Sequence, residues 1–181
     1  MGRILMAAAG LFLIAFLASP DSFAWLFAPM TRNGAPAIYT QTPLWSLTLS
    51  HLALVAMAVA ASTLVALVLA ILVTRPSGRE FLPLARTITS VGQTFPPVAV
   101  LALAVPVMGF GAGPTLVALF LYGLLPVFEN TLAGLTDQPA RIREAARGMG
   151  LTPAQRLWQV DLPLALPVIL TGMRLTAVIS L

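Results

Sequence analysis

Few side chains in this sequence could carry covalent chemistry. Its 181 residues include one histidine, His51, six carboxylates and no cysteine. Without cysteine there is no disulfide framework, thiolate nucleophile or Cys-ligated metal site. One histidine and six scattered carboxylates are too little for a catalytic or metal cluster, so no catalytic residue and no metal ligand is assigned. All ten lysine-plus-arginine positions are arginine. A phosphate-binding loop of the G-x-x-x-x-G-K-[ST] type needs a lysine, so this chain cannot build one. The chemistry left is non-covalent. It gathers at a polar, proline-broken stretch, Gln93-Thr94-Phe95-Pro96-Pro97, and in a charged segment over residues 136–161.

The elements that hold these stretches are apolar. The composition is 59% hydrophobic and 9% charged, against about 25% charged in an average soluble domain. A water-facing surface cannot be built from so few charges, so a soluble enzyme is excluded and the chain reads as an integral membrane protein. Its net charge of +4 comes from arginines clustered between apolar runs. That is the pattern of positive-inside loops rather than of a nucleic-acid surface.

Five apolar runs follow one another. Residues 4–18 form the first span, with a signal peptide as the alternative, Ser22 and Ala24 being small residues before a cleavage point. Residues 19–43, broken by Pro20, Pro29, Pro36, Pro43 and Asn33-Gly34, form an extracytoplasmic loop; Trp25, Tyr39 and Trp45 suit a membrane interface. Residues 44–73 form the second span, stopped by Arg75-Pro76. His51 near its outer end is either a hydrogen-bonded interfacial histidine or part of a pathway. Residues 87–128 carry no charge and are too long for one span. The turn Gly109-Phe110-Gly111-Ala112-Gly113-Pro114 divides them, giving a third span over 87–108 and a fourth over 115–135, with Glu129 and Asn130 towards its far end. A fifth run begins at Leu162 and is still apolar at Leu181, which reads as part of a longer protein. For Arg174 within it, snorkelling, pairing with Glu129 and binding a lipid headgroup stay open. The expected fold is an all-α polytopic bundle of about five spans: residues 1–43 an N-terminal span and outer loop, residues 44–181 the main transmembrane domain. With the N-terminus in the cytoplasm, eight arginines fall inside and only Arg32 clearly outside.

The segment over 137–163 has more local structure than a connector needs. Asp137 is placed to cap a helix with Pro139 in its first turn. Ile142, Ala145, Ala146 and Met149 make one apolar stripe at i, i+3, i+4 and i+7. Glu144 can pair with Arg141 or Arg147. Gly148 and Gly150 end that helix. Thr152-Pro153-x-Gln155 then forms a capping pattern for a second short helix, and Leu162-Pro163 leads into the membrane. Two amphipathic helices about a glycine hinge can dock in a groove of a soluble partner or lie on lipid.

The stretch Glu144-Ala145-Ala146-Arg147-Gly148-Met149-Gly150, then nine residues, then Val160-Asp161-Leu162-Pro163 resembles the EAA loop of binding-protein-dependent ATP-binding-cassette importers. That pattern reads E-A-A, three residues, G, nine residues, I-x-L-P, and this chain departs from it only at Val160. Val91-Gly92-Gln93-Thr94-Phe95-Pro96-Pro97, Leu121-Tyr122-Gly123-Leu124-Leu125-Pro126 and Leu162-Pro163-Leu164-Ala165-Leu166-Pro167 are similar to the glycine betaine/choline osmoprotectant permeases within that superfamily. The resemblance covers about residues 44–181. It implies a type I importer permease fold in a bacterial cytoplasmic (inner) membrane, with residues 137–163 as a cytoplasmic loop seated on an ATPase. Glu144, Ala145, Ala146, Gly150, Val160, Leu162 and Pro163 would make that coupling contact and its hinge. It also implies two cytoplasmic ATPase subunits that bind ATP and Mg, a second permease subunit, alike or different, and an extracytoplasmic substrate-binding protein. This chain itself would be no enzyme and hold no cofactor.

For the pathway, Gln93, Thr94, Phe95, Pro97 and Tyr122 are the candidates. Pro96 and Pro97 free upstream carbonyls, which in lipid need partners or a water-lined cavity. The break therefore either lines a path or is a structural kink. Phe95 and Tyr122 could face a quaternary ammonium through cation–π attraction. Alternatives are an importer for another amine or an amino acid, an ion-coupled carrier and a non-transporting scaffold. The carrier wants ionisable residues near the bilayer midplane; residues 44–73 and 87–128 supply none except His51, which is near an end.

Overall fold

The computed structural model describes residues 2–31, 36–39 and 41–181. Arg32 and the Asn33-Gly34 turn lie outside the described residues. Among those described, every regular element is helical. They form two compact units, Met1–Ala53 and Leu54–Leu181.

In the first unit, α1 (Gly2–Ala18) is followed by a single-turn helix at Pro20–Phe23, α2 (Ala24–Phe27) and a further turn at Ala28–Met30. The bend after α1 is 114°. Pro20 removes an amide there and stops the helix. Aromatic rings hold the chain back on α1: Phe23 lies edge-on to Phe12 at 5.3 Å and to Phe16 at 5.6 Å. The start of α3 (Leu44–Thr74) completes this unit.

The second unit holds the rest of α3 and then α4 (Leu82–Thr94), α5 (Pro97–Met108), α6 (Ala112–Thr136), α7 (Ala140–Gly148), α8 (Pro153–Arg156) and α9 (Leu162–Ser180). Among the described residues three helices are long and apolar enough to cross a membrane: Leu44–Thr74, Ala112–Thr136 and Pro153–Ser180. Two bent pairs raise the number of spans to as many as five. The third expected span is one of those pairs. It begins earlier than residue 87, as Arg79–Thr94, and turns by 91° into Pro97–Met108. Phe95, as the residue before a proline, is extended at φ −104°, ψ 143°, and neither Pro96 nor Pro97 can donate the amide that would carry the helix on.

Helix α6 is the centre, packed against α4, α5 and α9. Backbones come close where a side chain is missing. A Cβ on Gly172 of α9 would lie 2.9 Å from the Pro126 carbonyl oxygen, and one on Gly92 of α4 would overlap the Leu121 carbonyl. Ala66, Ala70 and Val73 of α3, Ala85 of α4 and Leu124, Val127, Phe128 and Leu132 of α6 form one core cluster. Two buried hydroxyls tie helices together: Ser62 Oγ donates to the Phe120 carbonyl at 2.9 Å, and Thr176 Oγ1 to the Gly123 carbonyl at 3.1 Å.

Candidate functional site

The segment after α6 departs from the capping expected of it. Asp137 ends α6: its amide donates to the Ala133 carbonyl, and its carboxylate accepts from Thr136 Oγ1 at 2.9 Å. Pro139, at φ −56° and ψ 135°, precedes α7 instead of sitting in its first turn. The extended residue keeps the two helices apart.

Helix α7 closes with a double bond pattern. The Leu151 amide donates to the Ala146 carbonyl and the Gly150 amide to the Arg147 carbonyl, with Gly150 at φ +73°. This is a Schellman motif, and it needs a residue that adopts the left-handed region without strain. The capping box then forms as expected. Thr152 Oγ1 accepts from the Gln155 amide at 3.3 Å, and Gln155 Oε1 accepts from the Thr152 amide at 2.9 Å.

The second helix is not a separate one. It runs from Pro153 through a π turn at Leu157–Asp161 into α9, 28 residues without a break. Pro163 has no amide for the Gln159 carbonyl and its ring crowds that carbonyl; the widened turn makes room. The turn at Gly150 therefore joins α7 directly to the helix that runs from Pro153 to Ser180.

Of the expected coupling residues, Glu144, Ala145, Gly150 and Pro163 are exposed, Val160 and Leu162 are half-buried, and Ala146 is buried. The expected stripe on α7 is thus buried only at Ala146 and partly at Ile142; Ala145 and Met149 face outward. Among the described residues no ion pair involves Glu144. Its carboxylate and the exposed Arg141 and Arg147 form an open, charged surface.

Leu157 packs this loop against Leu135, Ala165 and Ile169, and its polar tether is Asp161, which sequence reasoning passed over as the variable position of the I-x-L-P pattern. Its side chain is buried. Oδ2 accepts from Arg156 Nε at 3.3 Å and lies 3.9 Å from Arg75 Nη2. Its backbone carbonyl accepts from Gln138 Nε2 at 2.8 Å, and the same amide group donates to the Gly134 carbonyl at 3.1 Å. The end of α3, the α6–α7 connector and the α8–α9 rod meet at this one residue. Burial lowers the affinity of the Arg75 guanidinium for its proton; Asp161 raises it and Arg156 lowers it further. The available sequence signal was an acid five residues after an arginine in apolar surroundings.

The pathway candidates also meet. Pro126 lies inside α6 and leaves the Tyr122 carbonyl without its helical donor; Gln93 Nε2 of α4 donates to it at 3.4 Å. The Phe95 carbonyl at the α4–α5 break takes the Tyr122 hydroxyl. Gln93, Phe95 and Tyr122 thus form one cluster that satisfies the carbonyls freed by two proline breaks. Thr94 is not part of it: its hydroxyl bonds back to the Ser90 carbonyl. Pro97 starts α5. The Phe95 ring is half exposed. Glu129 does not pair with Arg174. It pairs with Arg86 of α4, while Arg174 is exposed on the other side of α9 from Gly172 and Thr176.

Long apolar helices and broken spans make this a multi-pass membrane protein. The chain belongs to the family of binding-protein-dependent transport system inner membrane components, whose model matches residues 66–181. It is 47% identical over 130 residues to the osmoprotectant import permease protein OsmY of Salmonella typhimurium, covering 72% of this chain and 55% of the relative. It is 36% identical over 149 residues to the choline transport system permease protein OpuBB of Bacillus subtilis, covering 82% and 64%. A carnitine transport permease protein, OpuCB of Listeria monocytogenes, is 42% identical over 91 residues, covering 50% and 42%. The chain spans between about two-fifths and two-thirds of the length of these curated relatives.

Proposed function

We propose that this chain is the permease subunit of an ATP-driven importer that moves glycine betaine or a related quaternary-amine osmoprotectant across a bacterial cytoplasmic membrane. Its N-terminus would lie in the cytoplasm, with α7 on the same side. It would work with a second permease subunit, two ATPase subunits that hold and hydrolyse ATP, and an extracytoplasmic binding protein. The observation that carries the reading is the exposed, charged α7, hinged at Gly150 and fastened through Asp161 to three helices. The names of the relatives support the substrate class.

The geometry gives the coupling a physical route. A surface helix with open Glu144, Ala145 and arginines offers a partner groove both charge and shape. Closure of an ATPase dimer would push α7. The Asp161 junction would pass that push to the ends of α3, α6 and α9 together, and packed helices shift as units between discrete arrangements. The break at Phe95-Pro96-Pro97, beside Tyr122, is where helix movement can open a path without leaving carbonyls bare in lipid. Aromatic faces there would attract a cation that offers only methyl groups.

The test is labelled glycine betaine uptake in cells lacking other betaine transporters, with the full protein expressed beside its ATPase and binding protein. ATP-dependent uptake that disappears in Gly150→Asp, with membrane insertion unchanged, supports the importer and the role of the loop. Uptake unaffected by Gly150→Asp overturns the coupling assignment. A wild type without uptake overturns betaine as substrate.

A further inference from the structure

The polar seam between α4 and α6 continues past the Gln93–Tyr122 cluster. Arg86, Ser90 and Gln93 fall at i, i+4 and i+7 along α4, and Tyr122, Glu129 and Thr136 fall at i, i+7 and i+14 along α6. Each set lies on one face of its helix. At the far end of the seam Arg86 Nε donates to Glu129 Oε1 at 2.9 Å and Nη2 to Oε2 at 3.2 Å. The fork is bidentate, the strong form of this pair. It is also open: the two side chains are 53% and 39% exposed. A pocket of about 260 Å³ beside it is lined by Arg86, Glu129, Thr136 and Asp137 among others, a little under the roughly 300–1,000 Å³ of sites for drug-sized ligands.

Glu129 lies seven residues before the end of α6, about 10 Å along the helix axis. The pair lies towards the end of the seam where α4 begins and α6 ends; charged groups among apolar helices face water, a cavity or protein rather than hydrocarbon. Nor is the pair needed to hold α4 on α6. Buried Ala85, Thr89 and Gly92 already do that along the neighbouring face. What the pair presents to the opening is one fixed cation and one fixed anion side by side. That is the complement of a small zwitterion: its carboxylate suits the planar guanidinium fork, and its ammonium suits the carboxylate.

We infer that Arg86 and Glu129 form an inner subsite for a zwitterionic solute, lying on the same water-lined seam as Gln93 and Tyr122. With no solute present the two side chains close on each other. A solute passing along the seam exchanges partners with them. This inference rests on the transport reading, and it adds the substrate's charge class and a second point of contact.

The chain contains no cysteine, so a single introduced thiol reports alone. Glu129→Cys, in inside-out vesicles carrying the assembled transporter, is expected to react with a membrane-impermeant methanethiosulfonate, and, having lost the anion of the subsite, to gain no protection from glycine betaine. Ser90→Cys, one turn along the same face of α4, leaves the ion pair whole and is expected to react as well and to be slowed by glycine betaine. In uptake, Arg86→Gln is expected to lower glycine betaine transport roughly tenfold, less than loss of a fully buried charged partner because the site is open, and to leave the monocation choline nearly unchanged. Glu129→Gln should lower both, and the exchange Arg86→Glu with Glu129→Arg should recover most betaine uptake. Thiols that stay unreactive at both positions overturn the proposal, as does equal loss of betaine and choline in Arg86→Gln. A wild type that takes up neither solute defeats the transport reading by itself; the thiol assay still decides the subsite, since a thiol facing lipid or packed protein does not react.

Discussion

Gln138 donates through Nε2 to the backbone carbonyl of Asp161 at 2.8 Å, across 23 residues of chain. One side-chain amide thereby fixes the start of the surface loop to its end. Beside that bond the Asp161 carboxylate faces Arg156 and Arg75. Asp161→Asn keeps the shape and removes the charge, leaving two partly buried guanidinium groups without their acid. The expected loss of stability is about 2 kcal/mol, between that of an exposed pair and that of a fully buried one, because both arginines retain some solvent. Thermal unfolding of the detergent-solubilised transporter measures it, and an unchanged midpoint would show that the junction holds nothing. ATP-driven uptake should fall while the ATPase still co-purifies.

Gly150 separates backbone strain from crowding. Its φ is +73° and a Cβ there would meet nothing within 4 Å. Gly150→Ala should therefore cost about 1 kcal/mol, the conformational penalty alone, and Gly150→Asn less, because asparagine tolerates the left-handed region. Equal stability of all three proteins in a chemical denaturation series would show that the Schellman closure of α7 does not depend on this residue.

Gly92 is the opposite case. A methyl group there would overlap the Leu121 carbonyl, and a backbone carbonyl cannot step aside as a flexible side chain can. Gly92→Ala should force α4 away from α6, costing about 1–3 kcal/mol as overpacking does. The Gln93–Tyr122 bond should weaken with it. A variant with wild-type thermal stability and uptake would refute this account of the approach.

At the break between α4 and α5, the Tyr122 hydroxyl satisfies the Phe95 carbonyl. Tyr122→Phe removes only that donor and should lower stability by about 1 kcal/mol. Phe95→Ala removes a half-exposed ring and should lower uptake without lowering membrane insertion. Comparing uptake per inserted protein separates the two. If Phe95→Ala transports normally, its ring has no part in the path.

Features carried by neighbouring residues were legible in the sequence. The membrane class follows from charge density. Proline and glycine marked the ends of α4, α6 and α7, and the capping box at Thr152 and Gln155 was readable because its partners are three residues apart. Other local readings failed where two rules competed. Asp137 could cap the helix after it or end the helix before it; Pro139, by extending the chain, left it to the earlier one. The capping pattern at Thr152 read as the start of a second short helix ahead of Leu162-Pro163, yet the π turn at Leu157–Asp161 accommodated Pro163 and joined α8 to α9.

The sequence by itself determined which stretches are apolar helices, where the chain must break and which segment is charged and amphipathic, since each depends on composition or on a spacing of a few residues. Tertiary structure decided the pairings. Arg86 and Arg174 lie at nearly equal distances along the chain from Glu129. Only packing chose between them: Gly172 and Thr176 turn one face of α9 to α6 and leave Arg174 on the other, while Ala85, Thr89 and Gly92 seat α4 so that Arg86 meets Glu129. Asp161 became a junction in the same way. Three helix ends had to converge on it before one carboxylate could hold two arginines, and no local pattern encodes that convergence.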